Sequence, residues 1–212
     1  MWYTKEQWKA RMASRSDLSA YVAHFTRPTT IDGVPHSAID VLIKILREER
    51  IVGSSTQSGF ICGDRRAVCF QDAPAYALAQ NIYLEQQYQT AMQGGKKRYV
   101  GVGLMFEKPY VFRLGGRPVL YEITERAKTL LPQSEWWRIV RYDLGDDARF
   151  CDWTHEREWR VPDDFTFSRS KATVIIPSHG GYRLFLKKCR AIGNPDLLQE
   201  ILGIVNLGAV FY

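Results

Sequence analysis

Strand-type runs in this chain are short, and each is set apart from the next by a segment of helical periodicity or a glycine turn. Residues 20–26, 65–71, 99–106, 173–177 and 204–212 are rich in β-branched and aromatic side chains. Between them, Ser37 precedes apolar residues 39, 42, 43, 45 and 46, which predicts a capped helix over 38–50. Asp72 and Pro74 predict a second helix start, with Asp72 as N-cap. That helix should run to about Met92, with Tyr76, Leu78, Ala79, Ile82, Tyr83 and Tyr88 as its apolar face and Gly94-Gly95 as its stop. Such interleaving excludes a pure helical bundle and a pure β-sandwich, and predicts an α+β fold.

The remaining segments fill in this outline. Residues 2–14 place apolar side chains at 2, 3, 8 and 12, an amphipathic helix expected to pack over the domain, with residues 1–19 as its N-terminal extension. Residues 110–114 and 117–121 around Gly115-Gly116 predict a β-hairpin. Residues 99–106 read as a strand loosened by Gly101 and Gly103, entered from the basic step Lys96-Lys97-Arg98. Residues 123–131, 180–189 and 195–202 predict helices, 135–142 fits helix or strand, and 204–212 predicts a C-terminal strand. With 212 residues, 45% of them hydrophobic, the chain can bury one substantial core, and a single domain over 1–212 is expected.

No run approaches the roughly 20 apolar residues that span a bilayer, and the N-terminus has no apolar signal region, so a cytoplasmic protein with no membrane partner is expected. Cys62, Cys69, Cys151 and Cys189 are dispersed, without a Cys-x-x-Cys pair, which predicts reduced thiols and no metal site. The net charge of +6 and pI of about 9.2 suit a polyanionic partner such as nucleic acid. A Gly-x-Gly-x-x-Gly fingerprint is missing, which disfavours a Rossmann cofactor domain.

Residues 150–161 hold the densest cluster of reactive side chains. If 157–161 is a strand, Glu156 and Glu158 leave one face while Trp159 and Val161 enter a core. A Glu-x-Glu pair so placed can steady a developing cation with one carboxylate and position a nucleophile with the other. The same alternation also describes any half-exposed strand.

Three stretches in order, Tyr21-Val-Ala-His-Phe-Thr26 in the first strand, Val68-Cys-Phe-Gln-Asp-Ala-Pro74 heading a helix, and Glu156-Arg-Glu158-Trp-Arg, resemble the ADP-ribosyltransferase superfamily. Within it the chain is similar to AbiGi-like phage-defence (abortive infection) proteins and, more distantly, to DarT DNA ADP-ribosyltransferases. The resemblance covers roughly residues 20–177. It implies a split β-sheet core with flanking helices, NAD as substrate without a metal, and transfer of ADP-ribose to a nucleic-acid acceptor by a toxin or defence effector. Glu158 would then stabilise the oxocarbenium ion as nicotinamide leaves, and Glu156 would orient or deprotonate the acceptor. His24, Phe25 and Thr26 would hold the ribose and nicotinamide, with Phe70 beside them on the central strand. Tyr76 and Tyr83 would stack on the nicotinamide, Arg65 and Arg66 would face the pyrophosphate, and Trp153 and His155 would stack on an acceptor base. Cys69, Phe70 and Gln71 stand where arginine-specific and PARP-like branches carry a Ser or Tyr.

Other functions fit the same residues. A non-catalytic antitoxin or partner-binding module would keep the fold without consuming NAD, and a metal-independent nuclease would use His24 and His155 as acid and base. Read alone, His24 also fits a hydrogen-bonded core histidine, Tyr76 and Tyr83 fit core positions, and Arg65 and Arg66 fit a solvated strand entry.

Overall fold

In the computed structural model of the chain, the described residues are 2–91, 99–193 and 196–210. The elements run α1 (Lys5–Ala13), β1 (Tyr21–Phe25), β2 (Thr29–Ile31), β3 (Val34–His36), α2 (Ala38–Glu48), β4 (Arg50–Ile51), β5 (Ala67–Phe70), α3 (Ala75–Ala91) and β6 (Gly103–Glu107). They continue with α4 (Lys108–Arg113), β7 (Arg117–Pro118), β8 (Leu120–Glu122), α5 (Thr124–Leu130), β9 (Ile139–Arg141), β10 (Trp159–Pro162) and β11 (Phe165–Thr166). Last come β12 (Thr173–Ile176), α6 (His179–Ala191), α7 (Asp196–Glu200) and β13 (Gly203–Asn206). The fold is mixed α+β with several small sheets. Among the described residues no helix is long and apolar enough to cross a membrane.

The chain divides into two compact units, one of Met1–Glu49, Ala73–Phe106 and Phe167–Tyr212, the other of Arg50–Asp72 and Glu107–Thr166. In the first, a four-stranded sheet has the order β1-β6-β12-β13, with β12 antiparallel to β6 and parallel to β13. Alternation along these strands divides their side chains between two faces. Ala23, Met105 and Ile175 meet Leu78, Ala79 and Ile82 of α3, while Val22, Leu104, Val174 and Ile176 take the other face and are equally buried. Both sides of the sheet are therefore covered, and each large aliphatic chain so buried contributes about 1.5–3 kcal/mol. Gly103 is needed for close pairing, because a Cβ there would stand 2.1 Å from the His24 carbonyl oxygen. Helix α2 starts where Ser37 and Asp40 form a reciprocal capping box, and it stops where Glu49 turns left-handed at φ 49°.

In the second unit, β10 lies between β5 and β7 and is antiparallel to both. The register sets Trp159 opposite Phe70 and Arg160 opposite Cys69. Phe70 and Val161 face an apolar side where Phe70 meets Phe165 edge-on at 5.2 Å. Glu158, Arg160 and Cys69 take the opposite side.

Several expected elements take another form. The hairpin around Gly115-Gly116 is instead the end of helix α4: Pro109 sits in its first turn, Gly115 is left-handed at φ 93°, and Gly116 N–H returns to the Val111 carbonyl. The ambiguous 135–142 run splits into a 3-10 turn, Gln133–Arg138, and strand β9. The C-terminal strand ends at Asn206 and gives way to a 3-10 turn, Leu207–Val210. Helix α1 forms on a Thr4 capping box but buries no residue, with Trp8 and Met12 only half-buried. The first bond of α3 runs from Leu78 N–H to the Pro74 carbonyl, so Asp72 lies outside the cap; its carboxylate pairs with Lys108 at 2.6 Å. The expected helix end at Met92 and Gly94-Gly95, the basic step at Lys96-Lys97-Arg98 and the Tyr88 side chain lie outside the described residues. All four cysteines are free thiols, as their spacing predicts.

Candidate functional site

The Glu158 carboxylate is placed by the entry of the chain into β10. Residues Thr154–Glu156 form a 3-10 turn, Arg157 is left-handed at φ 45°, and the strand begins at Trp159. Glu156 and Glu158 are therefore not successive same-face positions of one strand, because Arg157 reverses the chain between them. Glu156 is half-buried on the turn, and its carbonyl accepts Asp72 N–H at 3.0 Å. The Glu158 main chain is clamped on both sides: its N–H donates to the Tyr121 hydroxyl at 2.7 Å, and its carbonyl accepts Val119 N–H at 3.0 Å.

Glu158 is 6% exposed and Arg160 3%. Arg160 Nε donates to Glu158 Oε1 at 2.7 Å, and Nη2 to Oε2 at 3.4 Å. Nη1 donates to the carbonyls of Trp137 (2.8 Å) and Ile139 (3.1 Å), and Nη2 also to that of Phe60 (3.1 Å). These bonds account for every N–H the guanidinium has to give. Burial works against the Arg160 charge, but the Glu158 carboxylate outweighs it and the net shift is upward. Burial, followed by the Glu158 charge, pushes the Cys69 thiol well above its ordinary value, and burial lifts the Tyr121 hydroxyl to about 12. The arrangement is a fixed anion on the polar side of a small sheet, held by a cation with no bonding capacity left.

Among the described residues, one buried acceptor of the second unit has no partner. Gln71 follows β5, is 6% exposed, and its Oε1 has no hydrogen-bond partner. The Phe70–Trp159 pair before it is the last of the ladder, and the residue after it, Asp72, donates its N–H to the Glu156 carbonyl at 3.0 Å. The indole N–H of Trp137, whose ring packs with Ile61, Ala67 and Cys69, is also buried without a partner. Each such group costs about 1–3 kcal/mol. Gln71, Arg160, Tyr121 and Trp137 went unassigned from sequence. An arginine two residues after a glutamate in a strand was the one available signal for the ion pair.

The other candidates are distributed over both units. In the first, His24 and Phe25 are half-buried on β1, and the Phe25 ring lies 6.0 Å from that of Tyr99. Thr26 is 2% exposed; its hydroxyl reaches the Ala38 and Val102 carbonyls at 3.0 and 3.1 Å, pinning the end of β1. Tyr76 and Tyr83 leave the buried stripe of α3 and are exposed, with the Tyr76 hydroxyl donating to the Ser16 carbonyl, so neither is a core residue. In the second unit, Arg65 pairs with Asp163 at 2.6 Å and Arg66 with Asp164 at 3.3 Å. Asp164 also pairs with Arg50 and accepts Gly53 N–H, so a phosphate would have to displace a carboxylate from either arginine. Phe70 packs on the side of the sheet away from Glu158. Trp153 is half-buried and His155 exposed, with their rings 5.9 Å apart and tilted by 43°.

No protein-family model, curated protein or solved structure matches the chain.

Proposed function

We propose that the chain is an NAD-dependent mono-ADP-ribosyltransferase acting on nucleic acid, with Glu158 as the carboxylate that faces the reacting ribose. The observation that carries this reading is the fixed Glu158 anion, presented at the head of a central strand one turn after Glu156. A preoriented carboxylate stabilises positive charge developing on a sugar carbon without having to reorganise. In the balanced reaction, the bond between the ribose and nicotinamide breaks, nicotinamide leaves neutral, and an acceptor N–H or O–H forms the new bond. The acceptor proton passes to Glu156 or solvent. In one respect NAD suits the Glu158 carboxylate, since the ribose hydroxyls are donors whose hydrogen bonds it can accept. His24, Phe25 and Thr26 enter the proposal through the sequence resemblance. Trp153, at the N-cap of the 3-10 turn, and His155, within it, offer ring faces for a base.

Incubation with labelled NAD and single-stranded DNA, duplex DNA, RNA or protein tests the reading directly. Label transferred to one nucleic acid by the wild type, and not by a folded Glu158→Gln, supports it.

One observation favours a second reading. Every N–H of Arg160 is spent, and both oxygens of Glu158 accept from it, as in a structural pin. In that case the chain is a partner-binding module, and it neither binds nor consumes NAD.

A further inference from the structure

Helix α6 carries charge that the fold does not use. It includes Arg183, Lys187, Lys188 and Arg190 and no carboxylate, so this one helix holds +4 in a chain whose net charge is +6. Phe185 and Cys189, 0% and 2% exposed, turn its apolar face into the core, and Lys188 pairs with Asp40 of α2. Arg183, Lys187 and Arg190 recur at i, i+4 and i+7 on the face turned away from that core, and all three are exposed. Among the described residues, none of these three side chains has an ion-pair or hydrogen-bond partner. Lys44, Arg50, Arg65 and Arg66, by contrast, each hold a carboxylate. The helix dipole accounts for Arg190, in the last turn, but not for Arg183, about two turns earlier.

We infer that this stripe is the docking surface for the phosphodiester backbone of a nucleic acid. The inference rests on the nucleic-acid half of the proposed function and is independent of the NAD half. From Arg183 to Arg190 the stripe covers about 10 Å of helix. One strand of a duplex carries a phosphate about every 3.4 Å of axis, so three cations meet about three phosphates. Contacts of this kind position a nucleic acid without reading its sequence. A bilayer surface suits α6 less, because an interfacial helix sinks its apolar face among lipid chains and α6 buries that face in the core. At the C-terminal end of α6, a cavity of about 480 Å³ lies between it and α2, lined by Ala191, Ile192 and Arg47 among others. Arg47 is exposed and, among the described residues, is a fourth cation that no carboxylate holds.

The test measures binding alone, with no NAD present. Fluorescence anisotropy of labelled single-stranded DNA, duplex DNA and RNA is followed against salt for the wild type and two triple variants. One carries Arg183→Gln, Lys187→Gln and Arg190→Gln; the control carries Arg11→Gln, Arg113→Gln and Lys171→Gln, losing the same charge at exposed positions elsewhere. The wild type should bind at least one nucleic acid. The α6 variant should bind it at least about tenfold more weakly at about 0.1 M salt, with the slope of log affinity on log salt shallower by about 2–3. The control should lose less than about threefold. Equal losses in the two triples, or no nucleic-acid binding by the wild type, overturn the inference. Preferential binding of polyglutamate or of phosphatidylserine vesicles also overturns it, by giving the stripe to an acidic protein or a membrane. Lys187→Glu alone is the second variant if the α6 triple does not fold, and the same comparisons decide. Binding lost only in the α6 variant of a protein that neither binds nor turns over NAD leaves this inference standing and sinks the transferase. NAD turnover with equal binding by both triples does the reverse.

Discussion

Glu158 and Arg160, two residues apart at the head of β10, form a two-point ion pair in which the guanidinium also closes three backbone carbonyls. The pair ties the central strand to the Trp137–Ile139 segment and to the Phe60 loop, so it is structural whatever else Glu158 does. Removing one member of such a pair strands the other charge in a medium that solvates it poorly.

Glu158→Ala should therefore lower the unfolding free energy by about 3–5 kcal/mol. Glu158→Gln, which keeps an acceptor for Arg160 Nε but not the counter-charge, should cost less than the alanine change, by about 1–2 kcal/mol. Urea unfolding of the two variants beside the wild type checks the ordering. Equal midpoints for all three would mean the pair is dispensable for the fold. The same reasoning makes the glutamine variant the informative one for activity, because the alanine variant confounds catalysis with stability.

Acid sensitivity has a source in the α2 cap. The Asp40 carboxyl is held at about 2, against an ordinary 3.8, by the hydrogen bond from Lys188 and then by the one from Ser37. A depressed folded-state value means that the contribution is fully present above the ordinary value and is lost as pH falls towards 2. With the partial exposure of both partners allowed for, it is about 1 kcal/mol. Asp40→Asn should remove it at neutral pH and flatten the stability profile between about pH 4 and pH 2. An unchanged acid limb in thermal unfolding would assign that sensitivity to other carboxylates.

Thiol chemistry should sort by burial. Burial pushes Cys69 well up and Cys189 to about 11, so neither forms a reactive thiolate near neutrality. Iodoacetamide at about pH 8 should leave both unmodified in the folded protein and modify both in urea. Mass spectrometry of peptides reads the sites. Rapid modification of Cys69 without denaturant would show that the polar side of β10 opens to solvent.

What the sequence disclosed depended on whether the deciding signal was local. Ser37 and the 39, 42, 43, 46 spacing located α2 because both cap and buried face are written within a few residues. The 110–114 run, mostly apolar and followed by Gly-Gly, suits a hairpin and a helix C-cap alike; Pro109 in the first turn is the discriminating residue. Tyr76 and Tyr83 continue the apolar periodicity of α3, yet packing uses only Leu78, Ala79 and Ile82. At the candidate site the richness of residues 150–161 was visible. The left-handed turn at Arg157 was not, since an arginine carries no signal for φ 45°. Gln71 and Trp137 stand out through what fails to bond to them, which a sequence does not show.

Nicotinamide release from NAD, measured with wild type and Glu158→Gln in the presence and absence of DNA and RNA, tests the central claim most directly. The transferase account predicts release by the wild type that rises with one nucleic acid and falls at least about 100-fold in Glu158→Gln, with the variant still folded. Equal release by the folded variant, or no release and no NAD binding by a folded wild type, would contradict it.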